Sequence, residues 1–222
     1  MKKSFILAAA ALFWAASALF AQDGSFLTED VFYLMPKMGY GTVYFKDKAA
    51  ANGNLNICAV DNTVRYLENG TELAVDIDDS MTRVVIDGVI FVPYEGEFLR
   101  LYPFGEDAGV AVRRNVTVMN DGKTASYGME SNTTAVTNIM GFSDTGLGQV
   151  FTLEEGREIP YRMSQTVYVY REGNIMAINK RNLQRAFPEA KDKIETYFDE
   201  HKKLENNDPD KVLALVKEWT GK

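Results

Sequence analysis

Pairs of turn residues between short apolar runs are the feature that most restricts how this chain can fold. Asn69-Gly70 divides residues 64–75 into two apolar runs, and Asp87-Gly88 lies directly between residues 84–86 and 89–92. An Asn-Gly or Asp-Gly pair supplies the positive φ angles that a two-residue hairpin turn requires. Short strands joined in this way predict an antiparallel β-sandwich or barrel-like unit, because a parallel sheet would alternate with helices.

The pattern changes to helical after Ile178. Asn179 is suited to cap a short helix, Pro188 fits the first turn of the next, and Asp208 followed by Pro209 opens a third. The predicted fold class is therefore α+β. Residues 22–178 form the predicted β-rich unit, and this unit includes a hairpin at residues 172–174. Residues 179–222 form C-terminal helices packed on the same domain.

The first 21 residues have the pattern of a secretory signal peptide. Two lysines are followed by an apolar run from residue 5 to 16 and then by small residues up to Ala21. We expect cleavage near Ala21 and export to the periplasm, the cell surface or the medium. No later apolar run approaches the roughly 20 residues that a transmembrane helix needs.

Charge and cysteine content restrict the partners. The formal net charge of −7 becomes −9 once Lys2 and Lys3 are removed with the leader. Nucleic acid is not an expected partner, because binding its backbone requires clustered lysines and arginines. Cys58 is the only cysteine, so no intramolecular disulfide can form, and its apolar neighbours predict a small buried side chain.

The only histidine, His201, lies in the sequence KDKIETYFDEHKK. Helical periodicity places it on an apolar stripe with Ile194 and Tyr197, away from Glu195 and Asp199. We therefore interpret His201 as a packed residue with a polar tip, and we predict no catalytic residue, cofactor site or metal site here.

A second acidic stretch resembles the beginning of a calcium loop. Asp76, Asp78 and Ser80 have the spacing of the first ligands, and Asp87 occupies the twelfth position. Met81, however, stands where such a loop needs glycine for its sharp turn. A solvated turn before a strand is the preferred interpretation, although calcium remains an alternative.

Residues 120–149 are rich in glycine, serine, threonine and asparagine. A connection of this length is unusual inside a compact domain, and loops often carry binding groups. The large apolar side chains in it are candidate contacts for a partner: Tyr127, Met129, Ile139, Met140 and Phe142. The alternatives are a tolerated insertion, or a loop that these side chains pin to the sheet.

Several segments resemble a family of uncharacterised exported proteins from Bacteroidota. They are GTVYFKD, LNI, RYLENGTELAV, KTASYGMESNTTAVT and LQRAFPEAKDKIETYF, together with the LFAQ ending of the leader. The resemblance implies an extracytoplasmic β module with a helical tail. It transfers no activity and no site residue to this chain.

These observations favour an exported, non-enzymatic envelope protein that binds a protein or a glycan through loops on a β scaffold. The alternative is a glycan hydrolase that uses a pair of carboxylates. Two acids about 5–10 Å apart in one deep cleft would favour the hydrolase.

Overall fold

The computed structural model describes residues 26–119, 143–144, 149–150 and 159–222. Ten strands within these ranges form one antiparallel sheet: β1 (Gly39–Phe45), β2 (Ala51–Ile57), β3 (Val64–Glu68), β4 (Thr71–Val75), β5 (Met81–Ile86), β6 (Val89–Tyr94), β7 (Glu97–Pro103), β8 (Ala108–Val118), β11 (Tyr161–Arg171) and β12 (Asn174–Ala177). The two-residue strands β9 (Ser143–Asp144) and β10 (Gln149–Val150) pair with each other. The predicted leader, residues 1–21, lies outside the described ranges.

The strand order is β12-β11-β8-β7-β6-β5-β1-β2-β3-β4. The predicted α+β class, with antiparallel strands and C-terminal helices packed on them, is confirmed. The strands form a single open sheet, with β12 and β4 at its two ends, and not a sandwich of two sheets or a closed barrel. Closure depends on how twist accumulates over many strands, which no single segment of sequence encodes.

Four two-residue turns share one geometry. The first residue of each has a φ of 47–52° and the following glycine has a φ of 79–83°, as a type I′ turn requires. The predicted hairpins at residues 69–70, 87–88 and 172–173 are confirmed. The fourth turn, Glu95-Gly96, joins β6 to β7. This turn has the same geometry without asparagine or aspartate in its first position, so the glycine in the second position is the feature that all four turns share.

The sheet has two faces, and we call the one that carries the main core the inner face. Cross-strand register places these residues in one row on it: Val43, Val84, Phe91, Arg100, Val112 and Val167. Helices cover the inner face of β8 and β11, where Val110, Val112, Val167 and Val169 are buried in one cluster with helical residues. The inner face of β1 to β5 carries a separate apolar cluster.

The helices are α1 (Glu29–Phe32), α2 (Lys180–Ala186), α3 (Lys191–Glu200) and α4 (Pro209–Thr220), with a 3₁₀ turn at Pro188–Ala190. Asn179 caps α2 by accepting from the Asn182 amide at 2.9 Å, and Asp208 caps α4 by accepting from the Lys211 amide at 3.1 Å. Among the residues described, no helix is both long and apolar enough to cross a membrane.

The segment before β1, which includes α1, contacts both β2 and β8. The amide of Leu34 donates to the carbonyl of Ile57 at 2.8 Å, and Phe32 is fully buried beside Cys58. Arg114 of β8 donates to the carbonyl of Val31 at 2.9 Å. These contacts fix the segment between β2 and β8.

Candidate functional site

An apolar pocket lies on the inner face of the sheet, in the half that the helices leave uncovered. It has a volume of about 390 Å³, within the usual range for small ligand sites. Its lining comes from the five strands β1 to β5: Val43, Phe45, Ala51, Asn52, Gly53, Leu55, Val64, Tyr66, Leu67, Glu68, Val75 and Met81. The predicted partner contacts at residues 127–142 lie outside the part of the chain that the structure describes.

Small residues of β2 leave space for the pocket. Ala51, opposite Val43 of β1, and Gly53 both line it, so this part of β2 carries little side-chain volume on the inner face. Gly41, opposite Gly53, lies outside the lining, and a Cβ there would be 3.0 Å from Leu55 and 3.2 Å from Ile86. Phe45 and Tyr66 then form aromatic walls around the space.

Few polar groups line the pocket. Tyr66 is half-buried and Glu68 is exposed, and neither side chain hydrogen-bonds to any residue that the structure describes. Their hydroxyl and carboxylate are therefore available to orient a ligand, whereas the apolar walls supply most of the contact area.

The pocket adjoins one end of the sheet, where β4 pairs with β3 but with no other strand of the described ranges. Leu67 and Val75 at this rim are 44% and 40% exposed. The only charged side chain of β4, Glu72, accepts from the Tyr33 hydroxyl at 2.8 Å and lies 3.4 Å from Arg65. The strand thus lacks the lysine or proline that commonly protects an edge.

Acids do not converge in this pocket, since Glu68 is its only carboxylate. Glu106, Asp107 and Glu189 do line a different depression of about 260 Å³, together with Arg171 and Lys222. All three acids are exposed, and Lys222 lies 3.7 Å from Glu189. A glycosidase acid needs a buried environment that raises its pKa, which this depression does not provide.

His201 is not packed in an apolar stripe, which corrects the interpretation from helical periodicity. The helix α3 ends at Glu200, and His201 is the exposed C-cap residue with φ −127° and ψ 123°. Its ring stacks on Tyr197 with centroids 4.4 Å apart, and Nδ1 lies 3.0 Å from the Tyr197 carbonyl oxygen. Within the described residues, no three His, Cys, Asp or Glu side chains are placed to hold a metal ion.

Replacing His201 with glutamine should change the free energy of unfolding by less than about 0.5 kcal/mol, as is usual for exposed positions. The remaining contact is a surface stack on Tyr197. Urea denaturation followed by circular dichroism measures the difference. A loss above about 1.5 kcal/mol would mean that the ring is held in the core after all.

Asp78, which resembles a calcium ligand in sequence, organises a turn. Its carboxylate accepts from the amides of Ser80 at 2.7 Å and Met81 at 3.1 Å, and it pairs with Lys48 at 3.3 Å. The hydrogen bond from the Ser80 side chain is the main reason that the pKa of Asp78 falls to about 2. Asp87 belongs to a different turn, the one between β5 and β6.

Cys58 is fully buried, as its apolar neighbours predict. Burial raises the pKa of its thiol to about 12. The thiol is therefore protonated at neutral pH and is a poor nucleophile.

Comparisons of this chain with known protein families, with curated proteins and with solved structures find no match. The pocket beside β4 was not predicted from the sequence. The signal for it was present in the small residues Ala51 and Gly53, but it depends on the register that places them between β1 and β3.

Proposed function

We propose that this protein is an exported, non-enzymatic envelope protein that binds an extended segment of a partner protein. The segment pairs with β4 and inserts apolar side chains into the adjoining pocket. The observation that carries this proposal is the coincidence of an unprotected edge strand with an apolar pocket of about 390 Å³.

The geometry of the Asn69-Gly70 turn determines which backbone N–H and C=O groups of β4 point away from β3, toward an added strand. Glu68 and Thr71 flank the Asn69-Gly70 turn, and such a flanking pair is hydrogen-bonded across the hairpin. The backbone groups of Leu73 and Val75 therefore also point toward β3. Those of Glu72 and Ala74 point outward, where they can pair with an added strand.

Strand addition explains why a protein partner fits better than a glycan. Successive side chains of an added strand alternate between faces, so every second one lies on the inner face beside Val75. An apolar pocket accepts such side chains, whereas sugar hydroxyls would need many more hydrogen-bonding groups than Tyr66, Glu68 and Asn52 provide. The pattern of residues 1–21 and the resemblance to exported proteins support the location.

Ala74→Pro should abolish capture of the partner while leaving the protein folded. Proline removes the outward N–H that an added strand would use but breaks no bond to β3, so we expect a stability loss of at most about 1 kcal/mol. Ala74→Val keeps the N–H and is the matched control. Quantitative mass spectrometry of proteins retained by each immobilised variant, from an envelope extract of the producing cells, measures the difference.

Val75→Lys tests the pocket rim in the same experiment. Its control is Met163→Lys, because Met163 is 43% exposed but lies in β11, near the opposite end of the strand order. One protein retained by wild type, Ala74→Val and Met163→Lys but lost from Ala74→Pro and Val75→Lys would support the proposal. Equal retention by all variants, or retention of nothing, would contradict it.

A further inference from the structure

A second cavity on the inner face contains two arginines. It has a volume of about 90 Å³ and lies between β6, β7, β8 and β11. Its polar lining comes from Arg100, Tyr102, Arg114 and Gln165. It shares no lining residue with the apolar pocket beside β4.

Strand register brings the two guanidinium groups to this cavity. Arg100 lies opposite Val112 in the β7–β8 pair, and Arg114 follows Val112 by two residues, so both arginines lie on the inner face as diagonal neighbours. Gln165 lies directly opposite Arg114 in the β8–β11 pair. Neighbouring like charges on one face of a sheet repel each other, and an anion between them would offset that repulsion.

Neither arginine pairs with a carboxylate of the described residues. Arg114 donates through Nη2 to the carbonyls of Val31, at 2.9 Å, and Tyr33. Arg100 lies over the ring of Tyr102, with its guanidinium carbon 4.8 Å from the centroid. In contrast, Arg113 on the outer face lies 3.0 Å from both Glu95 and Glu97.

Arg83 also has no carboxylate partner among the described residues, but it is exposed, whereas Arg114 is partly buried. Burial lowers the pKa of Arg114 from its ordinary value. The charge of Asp30 acts in the opposite direction, and with the two carbonyl dipoles it offsets the partly buried charge of Arg114 only in part. An anion in the cavity would compensate both guanidinium groups.

We propose that this cavity binds a phosphate group. The cavity is small, at about 90 Å³, which suits a single small oxyanion. Two guanidinium groups match a phosphate that carries up to two negative charges. A carboxylate would leave one positive charge uncompensated. Arg114 is held in place by the two carbonyls, and the exposed Arg100 provides the entrance.

Inorganic phosphate should therefore raise the melting temperature of the full-length mature protein in a saturable way. Arg100→Gln should weaken phosphate binding by at least about tenfold, measured as Kd by calorimetry. Arg83→Gln is the matched control, because Arg83 is also exposed and also covers a tyrosine, Tyr44, at 4.3 Å. It lies on the outer face and should bind phosphate as wild type does.

Sodium chloride at matched ionic strength separates binding from general screening of charge. Acetate should bind at least about tenfold more weakly than phosphate. A lack of saturable binding, an equal affinity in Arg100→Gln, or acetate binding as tightly as phosphate would overturn the proposal.

The source of the phosphate is tested with vesicles that contain phosphatidic acid. Binding to vesicles that Arg100→Gln abolishes and Arg83→Gln preserves would identify a lipid headgroup. Binding of inorganic phosphate without vesicle binding would identify the free anion. Either result supports the phosphate site.

Discussion

Replacing Trp219 with alanine should lower the free energy of unfolding by about 3–5 kcal/mol, the range for truncating a large aromatic in a core. Trp219 is only 6% exposed and belongs to the cluster that joins the helices to β8 and β11. Its ring lies 5.4 Å from that of Tyr197, so the substitution removes a contact between α4 and α3. The loss would weaken the whole helical cover of the inner face.

The measurement must use circular dichroism. The chain has two tryptophans, and the other is Trp14 in the predicted leader, so the variant of the mature chain would have no tryptophan fluorescence. Lys217→Ala is the matched control, because Lys217 is an exposed residue of the same helix. A Trp219→Ala loss below about 1 kcal/mol would show that the helix contributes little to the core.

A chain that ends at Ile178 tests the same contact on a larger scale. Without the helices, the inner face would expose Val110, Val112, Val167 and Val169, which are at most 7% exposed in the intact protein. We expect an insoluble or molten product. Cooperative unfolding at the temperature of the full-length chain would show instead that the helices are an independent appendage.

Local chemistry explains which parts of this fold could be predicted. The hairpin at Asp87-Gly88 and the caps Asn179 and Asp208 depend on residues within four positions of each other. Each was therefore visible in the sequence. Helical periodicity, however, extends this helix past Glu200 to include His201, whereas α3 ends at Glu200, because neither glycine nor proline follows that residue to mark the end.

Both candidate sites depend on register between strands, and that is why the sequence did not reveal them. The apolar pocket requires Ala51 to lie opposite Val43, so that Gly53 faces the same side. The second cavity requires Arg100 to lie opposite Val112 so that Arg114 becomes its diagonal neighbour. A shift of one residue would move any of these side chains to the other face.

The second large effect is expected at Arg65, where methionine should lower the free energy of unfolding by about 3 kcal/mol. The Arg65 side chain is fully buried, contacts Asp61, and lies 3.4 Å from Glu72. Removing one partner of a buried ion pair typically costs about 3–5 kcal/mol, because the remaining charge is left uncompensated. The lower end applies because Asp61 and Glu72 keep 20% and 29% of their side-chain surface in solvent.

Neighbouring groups hold this cluster in place. Burial raises the pKa of the Tyr33 hydroxyl, and its hydrogen bond to Glu72 adds to the effect, so the hydroxyl stays protonated and donates to that carboxylate. The guanidinium carbon of Arg65 lies 6.0 Å from the centroid of the Phe32 ring. Methionine retains an apolar chain of similar length against that ring, so the measured loss reports mainly the missing charge.

A triple variant separates loss of charge from loss of packing. Adding Asp61→Asn and Glu72→Gln to Arg65→Met removes the uncompensated carboxylates, so it should restore more than half of the lost stability. Arg83→Met is the control for an exposed arginine and should cost less than about 0.5 kcal/mol. Urea denaturation of the four proteins, including wild type, gives these differences. If the triple variant is no more stable than Arg65→Met, the arginine stabilises this end of the sheet by filling space, and the charge pairing contributes little.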